Sequence, residues 1–135
     1  MAAHRYWRLY ISALNGAASA SIVSLELHTS IGGADVVSGG TASASSVNGT
    51  DAAVNAFDGN TATWWLSAST GVPQWLKYDF GAGNDKDIVE MLVFARNGSS
   101  GTLGTRPVSF ALQGIQAMHA AGVLAAGRGA EILAI

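Results

Sequence analysis

Four segments of this chain alternate apolar and polar residues with a period of two, and none carries a strong helical pattern. Successive side chains of an extended strand point to opposite faces, so such segments can bury one face as strands. In Arg5–Ile11, Trp7, Leu9 and Ile11 share one face and Tyr6, Arg8 and Tyr10 the other. Val23, Leu25 and Leu27 alternate with Ser24, Glu26 and His28. Leu76, Tyr78 and Phe80 alternate with Trp75, Lys77 and Asp79, and Val108, Phe110 and Leu112 fall together after Arg106-Pro107. Ile88–Phe94 is a continuous apolar run interrupted by Glu90, the pattern of a strand buried on both faces. Asn15-Gly16, Gly32-Gly33, Gly39-Gly40 and Gly81/Gly83 mark turns between these segments. Thr41–Asp51 reads as a surface loop or edge strand, Val54–Phe57 as a short helical turn or strand, and Asn97–Gly104 as a loop. Short strands separated by turn signals predict an all-β fold, an antiparallel β-sandwich or barrel.

The chain has 135 residues, enough for one domain with a sizeable core. Its formal net charge is −2 and its Lys and Arg residues are scattered, which argues against nucleic acid as a partner. With no cysteine, disulfides and thiolate metal sites are excluded. Met1–Arg8 contains His4, Arg5 and Arg8 and no apolar core of signal-peptide length, and no apolar run reaches the roughly 18 residues of a membrane span. No secretion signal and no membrane insertion are therefore expected, and Asn48-Gly49-Thr50 and Asn97-Gly98-Ser99 read as turns. The abundance of Gly, Ser, Ala and Thr gives a neutral polar surface, typical of proteins that pack into assemblies or work outside the cytosol.

Asn55–Ser67 concentrates the chemistry. Asp58, Asn60 and Thr63 supply oxygens within six residues, with Gly59 free to take positive φ. Two readings stay open: a structural Ca²⁺ site, since hard cations take six to eight oxygens, or a turn in which Asp58 accepts backbone N–H groups. Trp64 and Trp65 are adjacent, so on extended backbone one faces the core and the other looks outward. Trp64 is the candidate outward platform, for the apolar face of a sugar ring or for a neighbouring subunit. Arg96 and Asn97, beside a loop, are candidate hydrogen-bond donors to sugar hydroxyls. His4, His28 and His119 show no ligand spacing and read as lone polar residues, and Asp85-Lys86-Asp87 reads as a solvated turn. No nucleophile elbow, zinc-protease helix or phosphate-binding loop occurs, so an enzyme is not expected.

Three ordered blocks carry a family resemblance: Ala56–Ser67 (AFDGNTATWWLS), Pro73–Gly81 (PQWLKYDFG) and Arg106–Gln113 (RPVSFALQ). Together, over Tyr6–Gln113, the chain resembles the discoidin domain, also called coagulation factor 5/8 type C. The resemblance implies a galactose-binding-like jelly roll, a family that includes carbohydrate-binding modules, with Trp65 and Trp75 at core positions. Arg5–Ile11 and Ser21–Leu27 look like strands that normally close such domains. Here they come first, as in many tailed-bacteriophage structural proteins, and the resemblance implies a permuted or interlocked order. The family places a calcium-binding glutamate near Ile22–Leu27. Ser24 stands at the aligned position, with Glu26 one pleat period away as the nearest candidate ligand.

After Gln113 the family's closing turn and Trp are replaced by Gly114-Ile-Gln-Ala-Met-His119. Residues 1–114 are therefore expected to form the sandwich. Residues 115–135 are expected to form an apolar, irregular or partly helical tail, either a docking element or the product of a frameshift. The expected function is a non-catalytic binding or assembly module of a virion, whose partners are other virion or self subunits and cell-surface carbohydrate. The alternative is a capsid or tail decoration protein that binds no sugar.

Overall fold

A computed structural model of the chain describes residues 2–96, 104–115 and 132–133. These form an all-β sandwich of antiparallel sheets. Strand β1 (Tyr6–Leu14) is followed by β2 (Ser21–Ile22), β3 (Ser24–His28), β4 (Thr41–Ala44) and a short 3₁₀ helix (Ala53–Phe57). Then come β5 (Trp65–Leu66), β6 (Gln74–Asp79), β7 (Glu90–Phe94), β8 (Pro107–Ile115) and β9 (Ile132–Leu133). The large sheet has the order β4-β6-β1-β8-β9, while β2 pairs with β5 and β3 with β7. All of these pairings are antiparallel.

The alternation in β1 explains its place at the middle of the large sheet. Trp7, Leu9 and Ile11 are fully buried, and Leu9 sits opposite Leu76 of β6 on one side and Leu112 of β8 on the other. Leu76, Tyr78 and Phe80 bury the matching face, as the period of two predicts. Ile22, Leu25, Leu27 and Trp65 from the two small sheets close the core from the opposite layer, with Ala53 and Ala56 of the 3₁₀ helix packed into it. Each buried large apolar side chain contributes about 1.5–3 kcal/mol relative to exposure, so this single core holds the two layers together. Gln74 pins the loops at one end. Its carbonyl accepts the Ser45 and Ser46 hydroxyls at 2.5 and 2.8 Å, and its amide donates to Thr70 and to Gly71 O.

Several expectations change. Thr41–Ala44 is an edge strand of the large sheet, and Val54–Phe57 takes the helical option. The Ile88–Phe94 run is not buried on both faces. Its strand begins at Glu90, and Leu92 and Phe94 are 40% and 43% exposed, because the alternation that packs Met91 and Val93 against the core turns them to the other face. In β8 only Leu112 of the predicted trio is buried, while Val108 and Phe110 lie where β8 runs beside the irregular end of β1. Ile115 belongs to β8 and is buried, so the sandwich extends past residue 114, and residues 132–133 add a strand to its edge. The expected helical or irregular character of residues 116–131 and the expected loop at 97–103 lie outside the described residues. No described helix is long and apolar enough to cross a membrane.

Candidate functional site

The two adjacent tryptophans separate as extended geometry requires. Trp65 is fully buried and donates its indole N–H to Ser46 O at 2.9 Å. Trp64, half-buried, turns outward and donates its indole N–H to the Asp51 carboxylate at 3.1 Å. Asn55 holds the Trp64 backbone by donating to its carbonyl at 3.1 Å, and Asp51 O accepts from Leu66 N, so Asp51 braces both ends of this corner. The Arg96 guanidinium lies 4.1 Å from the centre of the Trp64 ring, a cation–π stack. The sequence candidates Trp64 and Arg96 are thus brought together, while Asn97 lies outside the described residues. Two shallow depressions share Trp64. One, of about 440 Å³, is lined by Val23, Thr61, Phe94, Ala95 and Arg96, and the other, of about 210 Å³, by Thr50, Asp51, Asn55, Ala62 and Thr63. Arg96 covers part of the indole ring, and Asp51 takes its N–H edge.

Asp58, Asn60 and Thr63 converge as the turn reading describes. Asp58 Oδ1 accepts Asn60 N at 2.9 Å, Asp58 Oδ2 accepts the Thr63 hydroxyl at 2.6 Å, and Asn60 Oδ1 accepts Ala62 N at 2.9 Å. Gly59 takes φ +68°, the left-handed conformation this turn needs. A calcium ion here would share Asp58 oxygens that already accept hydrogen bonds from the loop's own donors. Glu26, the remaining calcium candidate, is hydrogen-bonded to His28 at 3.2 Å. Among the described residues no three His, Cys, Asp or Glu side chains are grouped to hold a metal.

His28 corrects the reading of a lone polar residue. Its buried imidazole is clamped between Glu90 of β7 (Nδ1, 2.7 Å) and Glu26 of β3 (Nε2, 3.2 Å), and Glu90 also accepts Gly32 N at 2.9 Å. The Glu90 hydrogen bond raises the His28 pKa against the opposing effect of burial, and the His28 hydrogen bond lowers that of Glu90. Protonated His28 therefore stabilises the fold fully below the unfolded histidine value of about 6.5, and this contribution is lost as pH rises through the raised folded value. Ionised Glu90 contributes fully above about 4.3 and less as pH falls through its depressed value. Urea midpoints measured against pH are expected to peak between these limits, and His28→Gln is expected to flatten the alkaline side of the profile. An unchanged alkaline decline in that variant contradicts the assignment.

Trp75 is also corrected. It lies half-buried on the outer face of β6, opposite Tyr10, and not in the core, because the alternation that buries Leu76 turns its neighbour away. Two features went unread in the sequence, Asp51 as the partner of Trp64 and the carboxylates around His28. Glu26 shares a strand face with His28 two residues on, a signal that was present. Glu90 is 62 residues away and gave none. In comparison with known proteins, the chain matches no family model and no curated protein sequence.

Proposed function

We propose that the protein is a non-catalytic binding and assembly module whose Trp64–Arg96 corner contacts carbohydrate, and that it serves as a structural protein of a bacteriophage virion. The observation that carries the sugar reading is Trp64 held outward by Asp51 and Arg96 while Trp65 anchors the same corner in the core. An aromatic ring bordered by Thr50, Asp51, Asn55 and Thr61 supplies the apolar surface and the hydrogen-bonding groups that a sugar ring needs. The virion reading rests on the resemblance of the blocks at Ala56–Ser67, Pro73–Gly81 and Arg106–Gln113 to discoidin modules of phage structural proteins. Shallow sites of this kind bind weakly one at a time and gain strength in an array, which a virion surface provides.

A glycan array probed with the multimerised protein is expected to give a defined set of signals from neutral glycans, and Trp64→Ala to abolish them. A silent array overturns the sugar reading. The alternative is a decoration protein that binds no sugar, favoured by the exposed apolar side chains Val108 and Phe110 of β8 and Leu92 of β7. A silent array together with concentration-dependent self-association in light scattering supports that alternative.

A further inference from the structure

The face of the large sheet turned away from the core holds a second cluster that the Trp64 corner does not involve. The pairing of β1 with β6 sets Tyr6, Arg8 and Tyr10 opposite Asp79, Lys77 and Trp75. The Arg8 guanidinium lies 5.2 Å from the Tyr10 ring centre, and Lys77 Nζ lies 5.5 Å from that of Tyr6 and 6.0 Å from that of Trp75. Arg8 and Lys77 are therefore directly opposed like charges, an arrangement that destabilises a sheet. Arg8 is only 7% exposed. Burial lowers the pKa of both groups, the sign of charge held at a cost.

Neither cation has a carboxylate to itself among the described residues. Asp79 is taken up by Arg5, at 2.8 and 3.1 Å, and by Gly81 N at 2.8 Å. Arg8 Nε donates to the neutral Gln113 carbonyl at 2.6 Å. A buried cation without an anion is costly, and Arg8 is set directly opposite a second, half-buried cation, Lys77. Arg8 and Tyr10 also border an open depression of about 380 Å³, with Ser12, Ser109 and the 43% exposed Phe110 on its other walls. That volume lies within the range of about 300–1,000 Å³ usual for ligand sites.

We infer that this outer face binds a carboxylate-bearing saccharide of the uronic-acid type, its carboxylate bridging Arg8 and Lys77 and its sugar rings lying against Tyr10 and Trp75. Two cations with no carboxylate to themselves among the described residues, the aromatic surfaces and the serine hydroxyls are the three things such a ligand needs. Single-stranded nucleic acid also stacks on aromatic side chains, but it requires a basic track along its phosphates. Arg8 and Lys77, on a chain of net charge −2, do not make one.

The test is isothermal titration with polygalacturonate, with dextran as the neutral polymer and a single-stranded oligonucleotide as the competing polyanion. Binding of polygalacturonate that weakens in high salt, with none to dextran, is expected. Lys77→Gln and Trp75→Ala should each weaken it about tenfold, the loss of one charge-assisted hydrogen bond or one stacking surface. Lys77→Gln removes a like-charge repulsion and is expected to fold with an unchanged far-ultraviolet spectrum. Trp64→Ala should leave this binding intact, which separates the site from the rim. The inference is overturned if polygalacturonate does not bind, if dextran binds equally, if Lys77→Gln has no effect, or if the oligonucleotide binds more tightly.

Discussion

Trp65→Ala is expected to lower folding stability by about 3–5 kcal/mol, a large share of the roughly 5–15 kcal/mol that keeps a domain folded. Trp65 is fully buried between the layers, beside Ile22, its partner across the β2–β5 pair. Its removal leaves a cavity that surrounding strands cannot close without losing register. It also strips the donor from Ser46 O and loosens the loop that Gln74 gathers. Urea unfolding followed by circular dichroism measures the effect. Trp65→Phe retains part of the volume and should lose less. Equal stability of Trp65→Ala and the parent chain contradicts the sandwich packing.

Gly40→Ala is expected to cost about 1–3 kcal/mol for a single added methyl group, the range for forcing atoms into filled space. Its φ is not positive, so the reason is steric and not conformational. A Cβ at Gly40 would collide with the carbonyl oxygen of Asp79 and approach Tyr78 Cε2 at 2.7 Å. The same residue donates its N–H to the Tyr78 hydroxyl at 2.8 Å, which ties the start of β4 to β6. The strain should show as faster amide exchange across Thr41–Ala44 while β1 stays protected. Gly59→Ala, by contrast, meets open space and is opposed by its positive φ alone.

Where one face of a strand is buried, the sequence was easy to read. Trp7, Leu9 and Ile11, and then Leu76, Tyr78 and Phe80, declare their faces because the pleat has a period of two and water lies on one side. The Trp64–Trp65 split and the turn at Asp58–Asn60 follow from equally local rules. The Ile88–Phe94 run misled because a continuous apolar stretch does not say whether a second layer covers it, and in β7 Leu92 and Phe94 stay exposed. The partners of Trp64 were half legible. Arg96 stands out by its loop position, but its stacking on the ring depends on how the end of β7 comes to lie beside Trp64. The pairing of Arg8 with Lys77 and with Gln113, 105 residues away, was invisible, since register between distant strands leaves no mark in a single sequence.

The chain's four tryptophans give one experiment that reads core, rim and sheet face at once. Indole N–H resonances are followed while a glycan selected from the array is added. The Trp64 resonance, whose proton is given to Asp51, is expected to shift on binding, while those of the core residues Trp7 and Trp65 stay fixed. A neutral glycan that binds while Trp64 does not move, or that moves Trp7 and Trp65 with it, contradicts a preformed recognition surface at this corner.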